Sequence, residues 1–183
     1  FIFIFKNEYS HSIIEIDITR GNLNPLPIAV SPLSQDKDSK KELEKKLKLD
    51  DLGAEISKVI ENNLNQSGLF NPLNKDAFLQ KPDIAHIKPR FEDWALIKAQ
   101  ALITGKVTVN NKNLKVEFRL WDILAGKEIL ALAFTTVPSN WRRVGHIITD
   151  KVYERLTGEK GYFDTRIIYV SEKGPKTQRV KKL

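Results

Sequence analysis

The chain of 183 residues contains no cysteine and no methionine. The lack of cysteine excludes a disulfide scaffold, a thiolate metal site and a cysteine nucleophile, and says nothing about compartment. No apolar run approaches the roughly 20 residues that cross a bilayer as a helix. No G-x-S-x-G, phosphate-loop or G-x-G-x-x-G spacing occurs. The stretch "GEKG" at 158–161 has too few glycines for a phosphate cradle and follows a predicted helix, not a strand. The histidines His11, His86 and His146 lie far apart in sequence, without ligand spacing, and His146 reads as a structural helix residue. Asp122, Asp150 and Asp164 fall in a predicted turn, on a polar helix face and in a loop. Nothing pairs two of them as acid and base, so they read as solvated or capping carboxylates. No catalytic residue, metal ligand or cofactor is assigned, and the chain is read as a non-enzyme.

What is present is a core-forming composition, 41% hydrophobic, with a formal net charge of +7. A basic balance permits anionic partners, but lysine and asparagine are spread throughout. The opening "FIFIFKNEYSHS" has two readings, a first strand or the tail of a secretory signal region. Unbroken Phe and Ile on both faces favour the second, so residues 1–12 are expected to be a signal remnant.

Periodicity supplies the elements. "SIIEIDITRG" alternates Ile14, Ile16 and Ile18 with Glu15, Asp17 and Thr19, the pattern of a half-buried strand ended by Gly21. "LPIAV" makes a short strand between prolines. Residues 34–50 are charge-mixed and read as a solvated linker or exposed helical turn. The spacing of Leu52, Ile56, Val59, Ile60 and Leu64 predicts an amphipathic helix capped by Asp50 or Asp51 and stopped by Gly68. A proline-rich stretch follows, then a short helix near 92–98. Three strands joined by turns at 110–113 and 125–127 predict an antiparallel meander. In its middle strand Leu114, Val116, Phe118 and Leu120 share one face, with Lys115, Glu117, Arg119 and Trp121 on the other. A last helix carries Trp141, Val144, Ile148, Val152 and Leu156 on one stripe, with Ser139 or Asn140 as N-cap and Gly158 as C-cap. Arg142 and Arg143 are expected to point outward.

Two binding readings arise from the residues themselves. "WRRVGH" sets an aromatic beside two cations, a pattern that can stack a base or contact phosphate, although Trp141 sits on the apolar stripe. The alternating segment at 13–21 is a strand tethered by little more than its own ladder, and such a strand can add to a partner's sheet.

Several blocks resemble a known family in order and spacing: "LPIAVSPL", "DLGAEISKVIENNLNQSGLFNPL", "FEDWALIKAQALITGKV", "VEFRLWDILAGKEIL" and "WRRVGHIITDKVYERLTGEKGYFDTRIIYVSEKG". They are similar to the amino-terminal domain of the TolB family, a periplasmic component of the Tol-Pal envelope system, over residues 13–183. The resemblance implies an α/β (α+β) fold, a mixed sheet of about five strands packed by two main helices. It implies a domain over 13–160. Residues 161–183 would then begin a β-propeller, with Thr165 to Ser171 as its first strand and a loosely held tail beyond Gly161. It also implies a non-enzymatic, monomeric periplasmic linker that supports outer-membrane integrity and invagination during cell division. The implied partners are the C-terminal domain of TolA, through Ile13, Ile14, Glu15, Ile16, Asp17, Ile18, Thr19, Arg20 and Gly21, and Pal through the propeller. Neither nucleic acid nor membrane insertion is implied. In the family, order or release of that segment acts as a switch coupled to Pal. Residues 34–50 depart from the family, being longer and more charged than the turn expected there. An attached leader would also leave the 13–21 strand non-terminal. The competing readings are a basic nucleic-acid-binding module and an accessory domain of a propeller-containing peptidase.

Overall fold

The computed structural model describes residues 14, 16, 24–35, 38–39, 49, 51–110, 113–165, 171–173 and 180–182. In order, the described elements are β1 (Leu26–Val30), β2 (Ser34–Gln35), α1 (Leu52–Gln66), β3 (Phe70–Pro72), α2 (Pro82–Ala85), α3 (Phe91–Leu96), β4 (Ala101–Asn110), β5 (Asn113–Asp122), β6 (Lys127–Thr136), α4 (Trp141–Thr157), β7 (Ser171–Lys173) and β8 (Val180–Lys182). A six-stranded mixed sheet runs β3-β1-β4-β5-β6, with β2 also on β4. β1 is parallel to β3 and β4, and β4, β5 and β6 form the antiparallel meander. This is the α+β architecture expected, with two strand fragments that periodicity alone does not reveal.

The faces of the sheet follow the period-two rule. Leu26, Ile28 and Val30 of β1 join Ile103 and Val107 of β4 and Val116, Phe118 and Leu120 of β5 in the main core. α1 contributes Leu52, Ile56, Ile60 and Leu64 to it, and α4 contributes Val144, Ile148, Val152 and Leu156. Fully burying one such side chain is worth about 1.5–3 kcal/mol, so the helix stripes dominate the stability of this layer. Asp51 caps α1 by accepting the Ala54 N–H at 2.8 Å. Asn140 occupies the N-cap of α4 without capping it; its amide instead donates to Thr136 Oγ1. Gly158 closes α4 in the left-handed region, as the pattern predicts.

Residues 34–35 are not linker. β2 continues the line of β1 along β4, pairing Ser34 with Lys106 and Gln35 with Val107. Pro32 interrupts the line, and a buried serine bridges the gap. Ser57 Oγ accepts the Leu33 N–H and donates toward the carbonyls of Ser31 and Gly53. Ser39 is also buried, and its hydroxyl accepts the Val109 N–H at 2.9 Å.

The opposite face of the sheet is covered in part by the segment carrying α2 and α3. Trp94, Ala85 and Ala99 pack there with Leu102 and Trp121. The alternation placed Trp121 on this face with the polar residues, and the face is correct. The residue is nevertheless buried, because Phe91 meets it edge-on at 6.0 Å and Thr104 Oγ1 accepts its indole N–H. Gln80 holds this layer together. Its Oε1 accepts the Trp94 indole N–H and the Arg90 N–H, each at 3.0 Å.

The chain beyond α4 is pinned through Asp164, contrary to the expected loose tail. Asp150 accepts the Phe163 N–H at 2.7 Å and the Asp164 N–H at 3.1 Å. Arg143 grips Asp164 with both ends of its guanidinium. A Cβ on Gly161 would lie 2.4 Å from Asp150 Cα, so glycine is required for this approach. Tyr162 and Phe163 then meet Tyr153 edge-on. β7 and β8 pair antiparallel with each other. Of the expected propeller strand, residues 166–170 lie outside the described residues.

Two outcomes follow from this packing. Gln80→Ala strands the buried Trp94 indole N–H, so urea unfolding should report a loss of about 1–3 kcal/mol. Burial first, then Tyr162 and Glu159, raises the Tyr153 pKa above that of a free tyrosine. A raised folded-state pKa gives stability that is complete below the unfolded value of about 10 and is lost as pH rises through the folded value. Tyr153→Phe should therefore flatten the alkaline fall of Tm above about pH 10, read from parallel melts of the two proteins.

Candidate interaction site

Of the segment singled out by its alternation, Ile14 and Ile16 are described, and both pack half-buried against the main core. Ile13, Glu15, Asp17, Ile18, Thr19, Arg20 and Gly21 lie outside the described residues. Neither isoleucine belongs to a strand. Their main-chain donors go elsewhere. The Ile16 N–H reaches the Leu156 carbonyl at 2.7 Å, and the Ile14 N–H reaches Asp122 Oδ2 at 3.1 Å. Two donors spaced by two residues with side chains on one face are what an extended segment presents. Here Ile14 and Ile16 dock on a carboxylate and a helix end, respectively.

Each acceptor is available for a local reason. Leu156 lies in the last turn of α4, whose carbonyls have no partner within the helix. Asp122 ends β5 and is fully buried, which departs from the expected solvated or capping role only in its burial. One oxygen accepts the Ala125 N–H at 2.8 Å and closes the turn into β6. The other is left for Ile14. A buried carboxylate is costly unless its lone pairs are used, so the turn and the segment together satisfy it. The signals in sequence were faint: an acid at the end of a strand and a leucine just before a helix-ending glycine.

The other sequence-flagged residues serve packing. His146 Nδ1 lies 2.9 Å from the Asn63 amide, which also donates to Thr149 Oγ1, tying α1 to α4. His86 follows α2, and His11 lies outside the described residues. Trp141 is buried, and the Arg142 guanidinium sits 4.2 Å over its ring. The aromatic–basic pair is thus used internally, and Arg143 is spent on Asp164. Arg142 and Arg143 both turn back to protein groups instead of standing free.

Among the described residues the seat holds Ile14 and Ile16 through two main-chain bonds and their two apolar side chains. Asp122→Ala should raise hydrogen exchange at the Ile14 amide by at least about tenfold, the loss of roughly 1.4 kcal/mol of local protection. The Asn63 side-chain signals should stay put, reporting an intact helix pair.

Comparison with known proteins places this geometry in a family. The family model described as the TolB amino-terminal domain matches residues 14–129, beginning at the seated Ile14. The Tol-Pal system protein TolB of Pelagibacter ubique (strain HTCC1062) is 75% identical over 182 residues, covering 100% of this chain and 41% of that protein. The crystal structure of TolB from Acinetobacter baumannii shares the fold, with a TM-score of 0.64 and 23% identity over 80% of this chain and 32% of that one. The chain thus spans less than half the length of these relatives. A family match over most of the chain, close identity to a curated relative and a shared fold together establish that this chain belongs to the TolB family, as its amino-terminal domain.

Proposed function

We propose that this chain is a non-enzymatic interaction domain of the periplasmic Tol-Pal system, and that residues 13–21 are the element that engages the C-terminal domain of TolA. In this reading residues 1–12 are a leader remnant and the region past the Asp150 clip leads into a β-propeller that meets Pal. The linkage serves outer-membrane integrity and invagination at division. The observation that carries the reading is the seating of Ile14 and Ile16. They are held by bonds to Asp122 and Leu156, and neither is part of the sheet. Ile14 and Ile16 leave this seat without breaking a described strand pairing, and the segment's N–H and C=O groups can then pair with a partner's sheet edge. The basic nucleic-acid reading loses support from the burial of Trp141.

Calorimetric titration of the TolA C-terminal domain tests the assignment, using the chain started at Ile13 and a second version lacking 13–21. Binding by the first and none by the second, with unchanged far-UV circular dichroism, is the expected result. Equal binding by both, or by neither, sinks the assignment of 13–21 as the partner element.

A further inference from the structure

Between the residue just past α2 and strands β4 and β5 lies a cleft of about 170 Å³, lined by His86, Gly105, Lys106, Glu117 and Arg119. Strand register sets its floor. Lys106 stands opposite Glu117, and Thr104 opposite Arg119. Lys106, Glu117 and Arg119 therefore share one sheet face as direct and diagonal neighbours. His86 is brought to them by α2. That helix is tied to β2 through Ser34 Oγ, which donates to Asp83 at 2.7 Å, and β2 pairs Ser34 with Lys106.

The charges around this cleft are unevenly matched. Glu117 pairs with Lys115, and Arg119 with Glu128, each at 2.9 Å. Lys106 is half-buried. Although Glu117 lies directly across the ladder, Lys106 makes no hydrogen bond or ion pair among the described residues. A cation partly withdrawn from water without a counter-ion is unfavourable. Arg119 gives one terminal nitrogen to Glu128, and a guanidinium has five N–H donors, so others remain. His86 adds a further donor. Its Nδ1 is buried without a partner. A proton there would be a buried, unpaired donor, so the neutral ring carries its proton on Nε2, the nitrogen left to the cleft.

We infer that this cleft binds a small carboxylate, held by Lys106 Nζ, the remaining Arg119 N–H groups and His86 Nε2–H. The charges on its lining select a monoanion. Lys106 and Arg119 against Glu117 leave a single positive charge, and the neutral imidazole adds none. A phosphate dianion would meet the Glu117 carboxylate without compensation. A planar carboxylate also matches the fork of a guanidinium. The inference does not depend on the reading of residues 13–21.

Sodium acetate titrated into the whole chain, against sodium chloride at matched ionic strength, tests the site by NMR. Acetate should give saturable shifts at the His86 ring, Lys106 and Arg119, with half-saturation in the millimolar range, and the His86 ring should show the Nε2–H tautomer. Lys106→Gln should weaken acetate by at least about tenfold, the loss of one charge-assisted bond, and Lys106→Arg should restore most of the binding. Phosphate should bind more weakly than acetate in wild type and close the difference in Glu117→Gln. The Trp121 indole signal, held by Thr104, should stay in place in every variant and report an intact fold. Shifts that chloride reproduces or that never saturate, an Nδ1–H tautomer, a Lys106→Gln chain that binds acetate like wild type, no rescue by arginine, or a wild-type preference for phosphate would each overturn the inference.

Discussion

The side-by-side packing of α1 and α4 on one face of the sheet is the constraint from which the rest of this domain hangs. Ile56, Ile60 and Leu64 meet the sheet together with Val144, Ile148, Val152 and Leu156. Asn63 locks the two helices by donating to His146 and Thr149. A Cβ on Gly145 would lie 2.9 Å from Val59 Cγ1, so the helices approach as closely as glycine permits. Interiors packed to this density transmit small changes instead of absorbing them.

α4 is the busier of the pair. Its flank holds the departing chain through Asp150 and Arg143, and its last turn offers the Leu156 carbonyl to Ile16. Tyr153 stands between these attachments, against Phe70 on one side and Tyr162 and Phe163 on the other. Both ends of the domain are thus fastened to one helix. The fastenings differ in kind. The exit is fixed by two main-chain bonds, an ion pair and two rings. Among the described residues the entry is fixed by one bond to the Leu156 carbonyl, one to Asp122 and two half-buried isoleucines.

The sheet divides its duties in a similar way. Its centre, β1 and β4, is buried on both faces, by the helix pair on one and by Trp94, Ala85 and Trp121 on the other. Its β3 border is blunted by length and proline. Its β6 border is ten residues long, carries no charge after Glu128 and is only partly covered. Stability sits where both faces are dry, and the margins of the sheet are held more loosely.

Much of this was legible in the chain. Period 3.6 marked α1 and α4, period two marked β5, turn residues on either side marked β4 and β6, and Gly158 marked the end of α4, because these signals come from neighbours within a few residues. Family-specific blocks pointed to TolB. The role of Ile14 and Ile16 as core-facing residues was readable from alternation, but their partners were not. Asp122 lies 108 residues from Ile14, and no local pattern links them. The same holds for Trp121, assigned to the right face but buried only because Phe91 and Thr104 arrive there, and for Asp150, which clasps residues beyond the helix end. The sequence by itself determined the two long helices and the three-stranded meander and which face α1, α4 and β5 must bury, since those follow from backbone geometry and the apolar period. Only the tertiary structure decided which carboxylates are buried and which carbonyl is lent to Ile16, since those depend on elements brought together from far apart in the chain.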